Sequence, residues 1–163
     1  MKSLISTDYL SKEHFYKICI VGGGLTGAIM ALLLKKSNLF SSDEIAWIKP
    51  KTKQENDVRT TFFNKKSLEL LKKLKILDCL KTNDFNYVKK IKVYGQKKTL
   101  PLVWDYSSSE ENFGAVIKNN IISDAIHTKL KDIKQYDSLV TNTTYNDFER
   151  TLYLKNKTSI KTN

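Results

Sequence analysis

The chain has 163 residues, of which 40% are hydrophobic and 28% charged, a balance typical of soluble proteins with a core of their own. No apolar run reaches the roughly 20 residues of a membrane span. Residues 1–15 lack the layout of a signal peptide and the arginines of a mitochondrial transit peptide, so a cytoplasmic location is expected. The net charge is +11, but only Arg59 and Arg150 are arginine. Because the lysines are scattered and no base-reading motif is present, nucleic-acid binding is not predicted.

Strands and helices alternate in the first half of the chain. The apolar pattern predicts a strand over residues 16–21, a helix over 25–36 and a second strand over 45–48, which Pro50 stops. Such a strand, helix and strand predict a right-handed crossover between parallel strands. Further on, Asn64 is placed to cap a helix over residues 65 to about 75, with leucines inward and lysines outward.

The second half departs from this alternation. Residues 89–94 and 99–104 read as a hairpin around a turn at 95–98, and we expect it to belong to a different sheet. A strand over residues 113–117 precedes a helix that Asn119 or Asn120 caps. Residues 138–143 and 151–154 are typical of a further hairpin.

The most informative motif follows the first strand. Gly22, Gly24 and Gly27 fit the G-x-G-x-x-G pattern, with a strand before it and a helix after it. Gly22 lets the chain turn sharply, Gly24 lets a pyrophosphate approach the backbone, and Gly27 lets the helix lie close to the strand. The alternative is a glycine turn that serves only tight packing.

The segment around this motif predicts an anion site. The backbone N–H groups near Leu25 and Thr26, after Gly23, would face the phosphates of a dinucleotide at the positive end of the helix. At the end of the second strand, an acidic residue normally binds the ribose hydroxyls, but Lys49 stands there. Lys49 can contact a ribose phosphate or the diphosphate, although a solvated side chain is the favoured interpretation.

Arg59 is the other candidate for ligand contact, because its planar guanidinium suits a phosphate or a ring edge in a chain that otherwise uses lysine. The alternative is an ordinary surface arginine. The sequence contains no Ser-His-Asp arrangement and no paired carboxylates, and His14 and His127 lack partners at metal-ligand spacing. We therefore assign no catalytic residue and no metal ligand. Cys19 and Cys79 are interpreted as reduced core thiols.

Three segments in this order resemble the flavin-dependent aromatic-ring monooxygenases, and most closely their ubiquinone-biosynthesis hydroxylase branch. The first is the glycine motif at residues 18–27. The second is residues 57–61 with the leucine-rich stretch 67–78, similar to a family segment in which an arginine precedes a leucine-rich helix. The third is residues 113–122, similar to the family's glycine, apolar run and asparagine before a helix.

The resemblance implies an α/β chain with a Rossmann-like FAD/NAD(P)-binding fold, three layers and a parallel central sheet. It implies FAD in the glycine loop (Gly22 to Gly27), Arg59 near the flavin and its diphosphate, and Asn119 near the cofactor, where relatives often carry arginine. It also implies that the 89–104 hairpin joins a substrate-side sheet. The expected organisation is a lead at 1–15, an FAD-binding part at 16–84, the hairpin region at 85–112 and a return to the FAD-binding part at 113–163.

The implied activity is hydroxylation of an aromatic ring, which can carry a prenyl tail, with NAD(P)H as a candidate electron donor. The cofactor carries that chemistry, which explains the lack of a catalytic constellation. The tail and the lysine-rich surface are compatible with peripheral contact with the inner membrane or with a biosynthetic complex. The family's later flavin motifs are missing, so we expect an N-terminal part that is inactive alone. The alternatives are an NAD(P)-dependent oxidoreductase, which Lys49 favours slightly, and a non-catalytic nucleotide-binding remnant.

Overall fold

The computed structural model describes residues 13–51, 57–95 and 100–163. The chain divides into two compact units, the first made of Met1–Lys53 and Ile126–Asn163 and the second of Gln54–Ala125. Residues 1–12 of the predicted lead and residues 96–98 of the predicted turn lie outside the described residues, whereas residues 13–15, predicted as part of the lead, belong to a strand.

The described residues form twelve strands and three α-helices. The strands in chain order are β1 (Glu13–Tyr16), β2 (Ile18–Val21), β3 (Ile45–Lys49), β4 (Thr60–Asn64), β5 (Asn86–Tyr87), β6 (Lys90–Val93), β7 (Leu102–Asp105), β8 (Gly114–Lys118), β9 (Lys134–Asp137), β10 (Val140–Tyr145), β11 (Arg150–Leu154) and β12 (Ser159–Thr162). The helices are α1 (Leu25–Lys36), α2 (Lys65–Lys73) and α3 (Asn119–His127). No described helix is both long enough and apolar enough to cross a bilayer.

The first unit contains a three-stranded parallel sheet in the order β2-β3-β9. Its central strand β3 is buried from Ile45 to Ile48, as expected for a strand covered on both faces. Helix α1 covers one face, because a Cβ built on Gly27 would lie 3.7 Å from Ile20, and Ile20 pairs with Trp47 of β3. Ala46 and Ile48 point to the other face.

A second sheet of the first unit lies against that other face. Its order is β1-β12-β11-β10, with β1 and β12 parallel and the remaining pairs antiparallel. The core between the two sheets is a single cluster, and it includes a 2.8 Å hydrogen bond between the hydroxyls of Tyr16 and Tyr136. The unit therefore has three layers, which are a helix, a parallel sheet and a mixed sheet. The members of the cluster are Tyr16, Ala46, Ile48, Tyr136, Leu152, Leu154 and Ile160.

The second unit is built on an antiparallel sheet in the order β4-β8-β5, against which α2 packs. The Asn64 side chain caps α2 by accepting a 2.9 Å hydrogen bond from the Ser67 amide, as predicted. Leu71 and Leu74 are buried, whereas the lysines of the helix face solvent. Strands β6 and β7 pair only with each other among the described strands, which confirms that the hairpin forms a different sheet.

The α/β class is confirmed, and the predicted parallel central sheet is met in part. Three strands are parallel, whereas the other sheets are mixed or antiparallel. Helix α1 has the predicted bounds, and the hairpin of β10 and β11 is present. The sequence did not predict β1, β4, β5, β9 or β12, and Cys79 is exposed rather than in the core.

Candidate nucleotide-binding site

The glycine loop leaves the parallel sheet at Gly22. The φ angle of Gly22 is +134°, a value that residues other than glycine rarely adopt. The Gly22 amide still donates a 2.9 Å hydrogen bond to the Ile48 carbonyl, so the turn begins directly at the end of the β2–β3 ladder. The turn that the sequence assigned to Gly22 is therefore present.

The other two glycines of the motif occupy opposite environments. A Cβ on Gly27 would lie 2.4 Å from the Gly22 carbonyl oxygen, so only glycine allows α1 to approach the loop this closely. A Cβ on Gly24 would meet nothing within 4 Å. The space in front of Gly24 is therefore open to a ligand, and a diphosphate fits there because the backbone can be approached without a side chain in the way.

The N-terminus of α1 supplies donors to this space. Gly24 is the N-cap and carries no side chain to cap the helix, and the first turn contains no acidic residue. The amides of Leu25 and Thr26 come in the first turn, where N–H groups lack intrahelical acceptors. With the positive end of the helix dipole, they form a site suited to an anionic group.

Trp47 anchors the loop, and the sequence analysis missed this role. Its side chain is fully buried, and its indole Nε1 donates a 2.8 Å hydrogen bond to the Gly22 carbonyl oxygen. A buried indole N–H needs an acceptor, and a tryptophan in an otherwise aliphatic strand is the signal that could have indicated one. Trp47 therefore fixes the orientation of the peptide at which the loop begins.

The Lys49 side chain is mostly covered and ion-paired, whereas the favoured expectation was a solvated lysine. Its side chain is only 17% exposed, and its Nζ lies 3.3 Å from Oδ1 of Asp137 and 5.2 Å from the centre of the Trp47 ring. The reason is the register between β3 and β9, which pairs Lys49 with Asp137. A positive charge at this strand end is thus matched by a carboxylate on the neighbouring strand.

An open groove of about 360 Å³ lies at the carboxyl ends of β3 and β9. Ligands of open α/β sheets bind outside these strand ends. Asp137 lines the groove together with residues that follow β3, β9 and β11. These residues are Pro50, Lys51, Ser138, Leu139, Lys155 and Asn156.

In the second unit, the structure brings Arg59 and Asn119 together. The Asn119 amide donates a 2.9 Å hydrogen bond to the Arg59 carbonyl, next to the pairing of β4 with β8. The Asn119 Oδ1 accepts a 2.7 Å hydrogen bond from the Thr61 hydroxyl. This bond fixes the Asn119 side chain at the start of α3, so its amide nitrogen remains the part of the side chain that can turn to a ligand.

The Arg59 guanidinium is held by Asp57 and is otherwise open to solvent. Its Nε and Nη2 each donate a 2.8 Å hydrogen bond to the carboxylate, and the side chain is 78% exposed. These hydrogen bonds hold the pKa of Asp57 below its ordinary value. Asp57 therefore stays ionised at neutral pH and orients the guanidinium, which can exchange this partner for another anion.

The predicted site residues belong to different units. The loop from Gly22 to Gly27 and Lys49 are in the first, whereas Arg59 and Asn119 are in the second.

No protein-family model matches the chain. A mitochondrial ubiquinone biosynthesis monooxygenase, COQ6, of Dictyostelium discoideum is 26% identical over 160 residues, which cover 83% of this chain and 30% of that protein. The protein of the same name from Drosophila melanogaster is 25% identical over 134 residues, covering 78% of this chain and 28% of its own length. The chain thus spans less than a third of the length of these curated relatives.

Solved structures show the same fold at low identity. The p-nitrophenol 4-monooxygenase PnpA from Pseudomonas putida DLL-E4 aligns with 93% of this chain and 40% of its own, with a TM-score of 0.69 and 15% identity. A flavoprotein/dehydrogenase from Cytophaga hutchinsonii aligns with 91% of this chain and 38% of its own, with a TM-score of 0.62 and 18% identity. The chain is therefore similar in sequence to part of these two ubiquinone biosynthesis monooxygenases and shares its fold with part of the two larger solved proteins.

Proposed function

We propose that this chain is the FAD-binding part of a flavin monooxygenase that hydroxylates an aromatic ring in ubiquinone biosynthesis. The observation that carries the proposal is the glycine loop, with its open space at Gly24 and the close approach of α1 at Gly27. The named activity of the sequence relatives supports the substrate class. Bound FAD would supply the oxygen-dependent chemistry, whereas the protein binds it, orients it and excludes water.

Each site residue predicted from the sequence has a role in this proposal. The amides of Leu25 and Thr26 would bind the diphosphate at the N-terminus of α1. The Arg59 guanidinium would leave Asp57 or share it, and would contact the flavin or its diphosphate. Asn119, fixed through Thr61, would contact the cofactor through its side-chain nitrogen.

An NAD(P)-dependent oxidoreductase is disfavoured as an alternative. It drew support from Lys49, whose charge could accept a ribose 2′-phosphate, but this side chain is only 17% exposed and its ammonium already pairs with Asp137. NAD(P)H as an electron donor to the flavin is a separate proposal and needs no site in the glycine loop. Contact with a membrane or a biosynthetic complex likewise remains a proposal, consistent with a net charge of +11.

Flavin binding by the full 163-residue chain tests the proposal. Titration of FAD with the purified chain should quench flavin fluorescence to saturation, and ADP should compete whereas FMN, which lacks the adenosine half, should not. Gly24→Val fills the open space and should abolish binding. Gly95→Ala, outside the glycine loop, is the control and should bind like the parent chain.

Two outcomes would contradict the proposal. One is the absence of FAD binding at concentrations that saturate flavoproteins. The other is binding that Gly24→Val leaves unchanged, because flavin would then be held elsewhere. We further expect no oxygen-dependent hydroxylation by the chain alone, since the relatives that carry this activity in their names are more than three times as long as their matched part.

A further inference from the structure

The proposed function does not explain how the ribose of the nucleotide is bound at the end of β3. An acidic side chain at this position normally accepts hydrogen bonds from the ribose hydroxyls of the adenosine half. Lys49 stands there instead, and it cannot accept a hydrogen bond because its ammonium is donor-only. A nucleotide bound at the glycine loop would therefore lack its usual ribose acceptor on this strand.

We propose that Asp137, at the end of the neighbouring strand β9, provides this acceptor, and that Lys49 is the positioning residue that holds it. This inference rests on the proposed function, because it concerns the same nucleotide. It assigns the ribose contact to a strand that the sequence analysis did not predict.

The glycine loop lies directly against the ion pair of Lys49 and Asp137. A Cβ built on Gly23 would lie 3.1 Å from the Lys49 Cβ, so the stem of Lys49 runs directly against the phosphate-binding loop. From there its Nζ reaches Oδ1 of Asp137 at 3.3 Å. One lysine side chain therefore connects the loop to the carboxylate.

Asp137 is the more exposed member of the ion pair. The Asp137 side chain is 51% exposed, whereas that of Lys49 is 17% exposed. The group that the pair presents to a ligand is thus the carboxylate and not the ammonium. A carboxylate accepts several hydrogen bonds on its two oxygens, so the ion pair with Lys49 leaves capacity for two hydroxyl donors.

The Asp137 carboxylate faces a space that is large enough for a ligand. Asp137 lines the open groove of about 360 Å³ at the carboxyl ends of β3 and β9, where a nucleoside can enter. The ring of Trp47 and the carboxylate together hold the ammonium in place. The carboxylate is therefore both accessible and fixed.

The Asp137 carboxylate also predicts which nucleotides the site selects. A carboxylate binds a ribose with two free hydroxyls, but it repels a ribose that carries a 2′-phosphate. Lys49 is already paired with Asp137, whereas Lys51 and Lys155 also line the groove. Because the proposal places the carboxylate and not these lysines at the ribose hydroxyls, the site should select adenine nucleotides with an unmodified ribose.

Nucleotide titrations of the full chain by calorimetry test this assignment. The parent chain should bind ADP about tenfold or more tightly than 2′-deoxy-ADP, and should bind ADP-ribose more tightly than its 2′-phosphate derivative. Asp137→Ala should weaken ADP binding about tenfold and remove the difference between ADP and 2′-deoxy-ADP. Lys49→Met should weaken ADP binding less and keep part of that difference, because the carboxylate remains but is no longer held.

Asp132→Ala is the matched control. Asp132 also pairs with a lysine, Lys35, and precedes the same strand β9, but it lies at the opposite end of the sheet. It should leave the affinities for both nucleotides unchanged. Urea unfolding of each variant establishes that the compared proteins are folded, and Asp137→Asn replaces Asp137→Ala if the latter is not.

The outcomes separate this inference from the proposed function. If ADP binds but Asp137→Ala retains the full preference over 2′-deoxy-ADP, or if the 2′-phosphate derivative binds more tightly, the assignment of Asp137 is overturned and the nucleotide site stands. If the parent chain binds no ADP at all, both are overturned.

Discussion

The indole of Trp47 donates its hydrogen bond to the carbonyl of Gly22, and this links the centre of the parallel sheet to the first residue of the glycine loop. The bond forms inside the protein, because Trp47 is fully buried. An unpaired carbonyl in such a place carries a desolvation cost. The bond therefore stabilises the fold and the shape of the loop at the same time.

Trp47→Phe should lower the free energy of unfolding by about 2 kcal/mol, from the lost buried hydrogen bond and the smaller ring. It should also weaken FAD binding, since the Gly22 peptide is no longer fixed. Urea unfolding and flavin titration measure the two effects. Trp104→Phe, at a ring that is 48% exposed, should change the stability by less than about 0.5 kcal/mol. Equal effects of the two substitutions would contradict the role of Trp47.

Gly24→Ala and Gly27→Ala should have opposite consequences. At Gly27 the new methyl group would collide with the Gly22 carbonyl, which should cost about 1–3 kcal/mol of stability. At Gly24 it meets only open space, so stability should change by less than about 1 kcal/mol, whereas FAD affinity should fall about tenfold or more. Thermal unfolding with and without FAD distinguishes the two. A stable Gly27→Ala variant that binds FAD normally would refute the close approach.

Arg59→Ala should leave stability within about 0.5 kcal/mol, because the side chain is 78% exposed and its ion pair with Asp57 is at the surface. FAD affinity should nevertheless fall about tenfold, and Arg59→Lys should restore little of it, since lysine cannot form two parallel hydrogen bonds. The measurement is flavin titration at physiological salt. Arg150→Ala, which removes the only other arginine of the sequence, is the control and should bind FAD normally.

Stability should decline at alkaline pH in part through Cys19. Burial raises the pKa of this thiol to about 11, and the hydrogen bond with Thr162 opposes the shift. A thiol in the unfolded chain ionises at about pH 8.5. Between these values the folded chain keeps a proton that the unfolded chain releases, so the free energy of unfolding falls as pH rises through this interval.

Urea unfolding at pH 8 and pH 10 measures this effect. Cys19→Ala should reduce the loss of stability between the two pH values, whereas Cys79→Ala, at an exposed thiol, should not. Part of the loss should persist in Cys19→Ala, because burial and the Tyr16 hydroxyl also raise the pKa of Tyr136. An unchanged pH dependence in Cys19→Ala would show that Cys19 does not contribute.

The local features of the fold could be predicted from the sequence because their signals are local. The bounds of α1 follow from the glycine motif and the apolar run after it, and the Asn64 cap follows from one residue type before a helix. Strands β9 and β12 were missed because their sequences, KQYD and SIKT, are short and polar. Strand β9 forms against the distant strand β3, and β12 forms between the distant strand β1 and its neighbour in the chain, β11, so a polar local pattern alone does not indicate either.

The dependence on distant partners also explains why the expectation of a solvated Lys49 was wrong. Taken alone, a lysine at a strand end before a proline is expected to be solvated. Its actual environment depends on Asp137, which lies far along the chain and comes next to it only through the register of β3 with β9. The Trp47 hydrogen bond to Gly22 was missed for a related reason, because the sequence shows that an indole needs an acceptor but not which one.

The position of β12 between β1 and β11 has a consequence for how the protein folds. The first described strand cannot be paired until residues 159–162 have left the ribosome, and the whole second unit is synthesised in between. Closing so long a loop before its contacts form is slow compared with helix formation. The first unit therefore completes its second sheet late, and until then the edge of β1 and the apolar face of β3 are exposed to other chains.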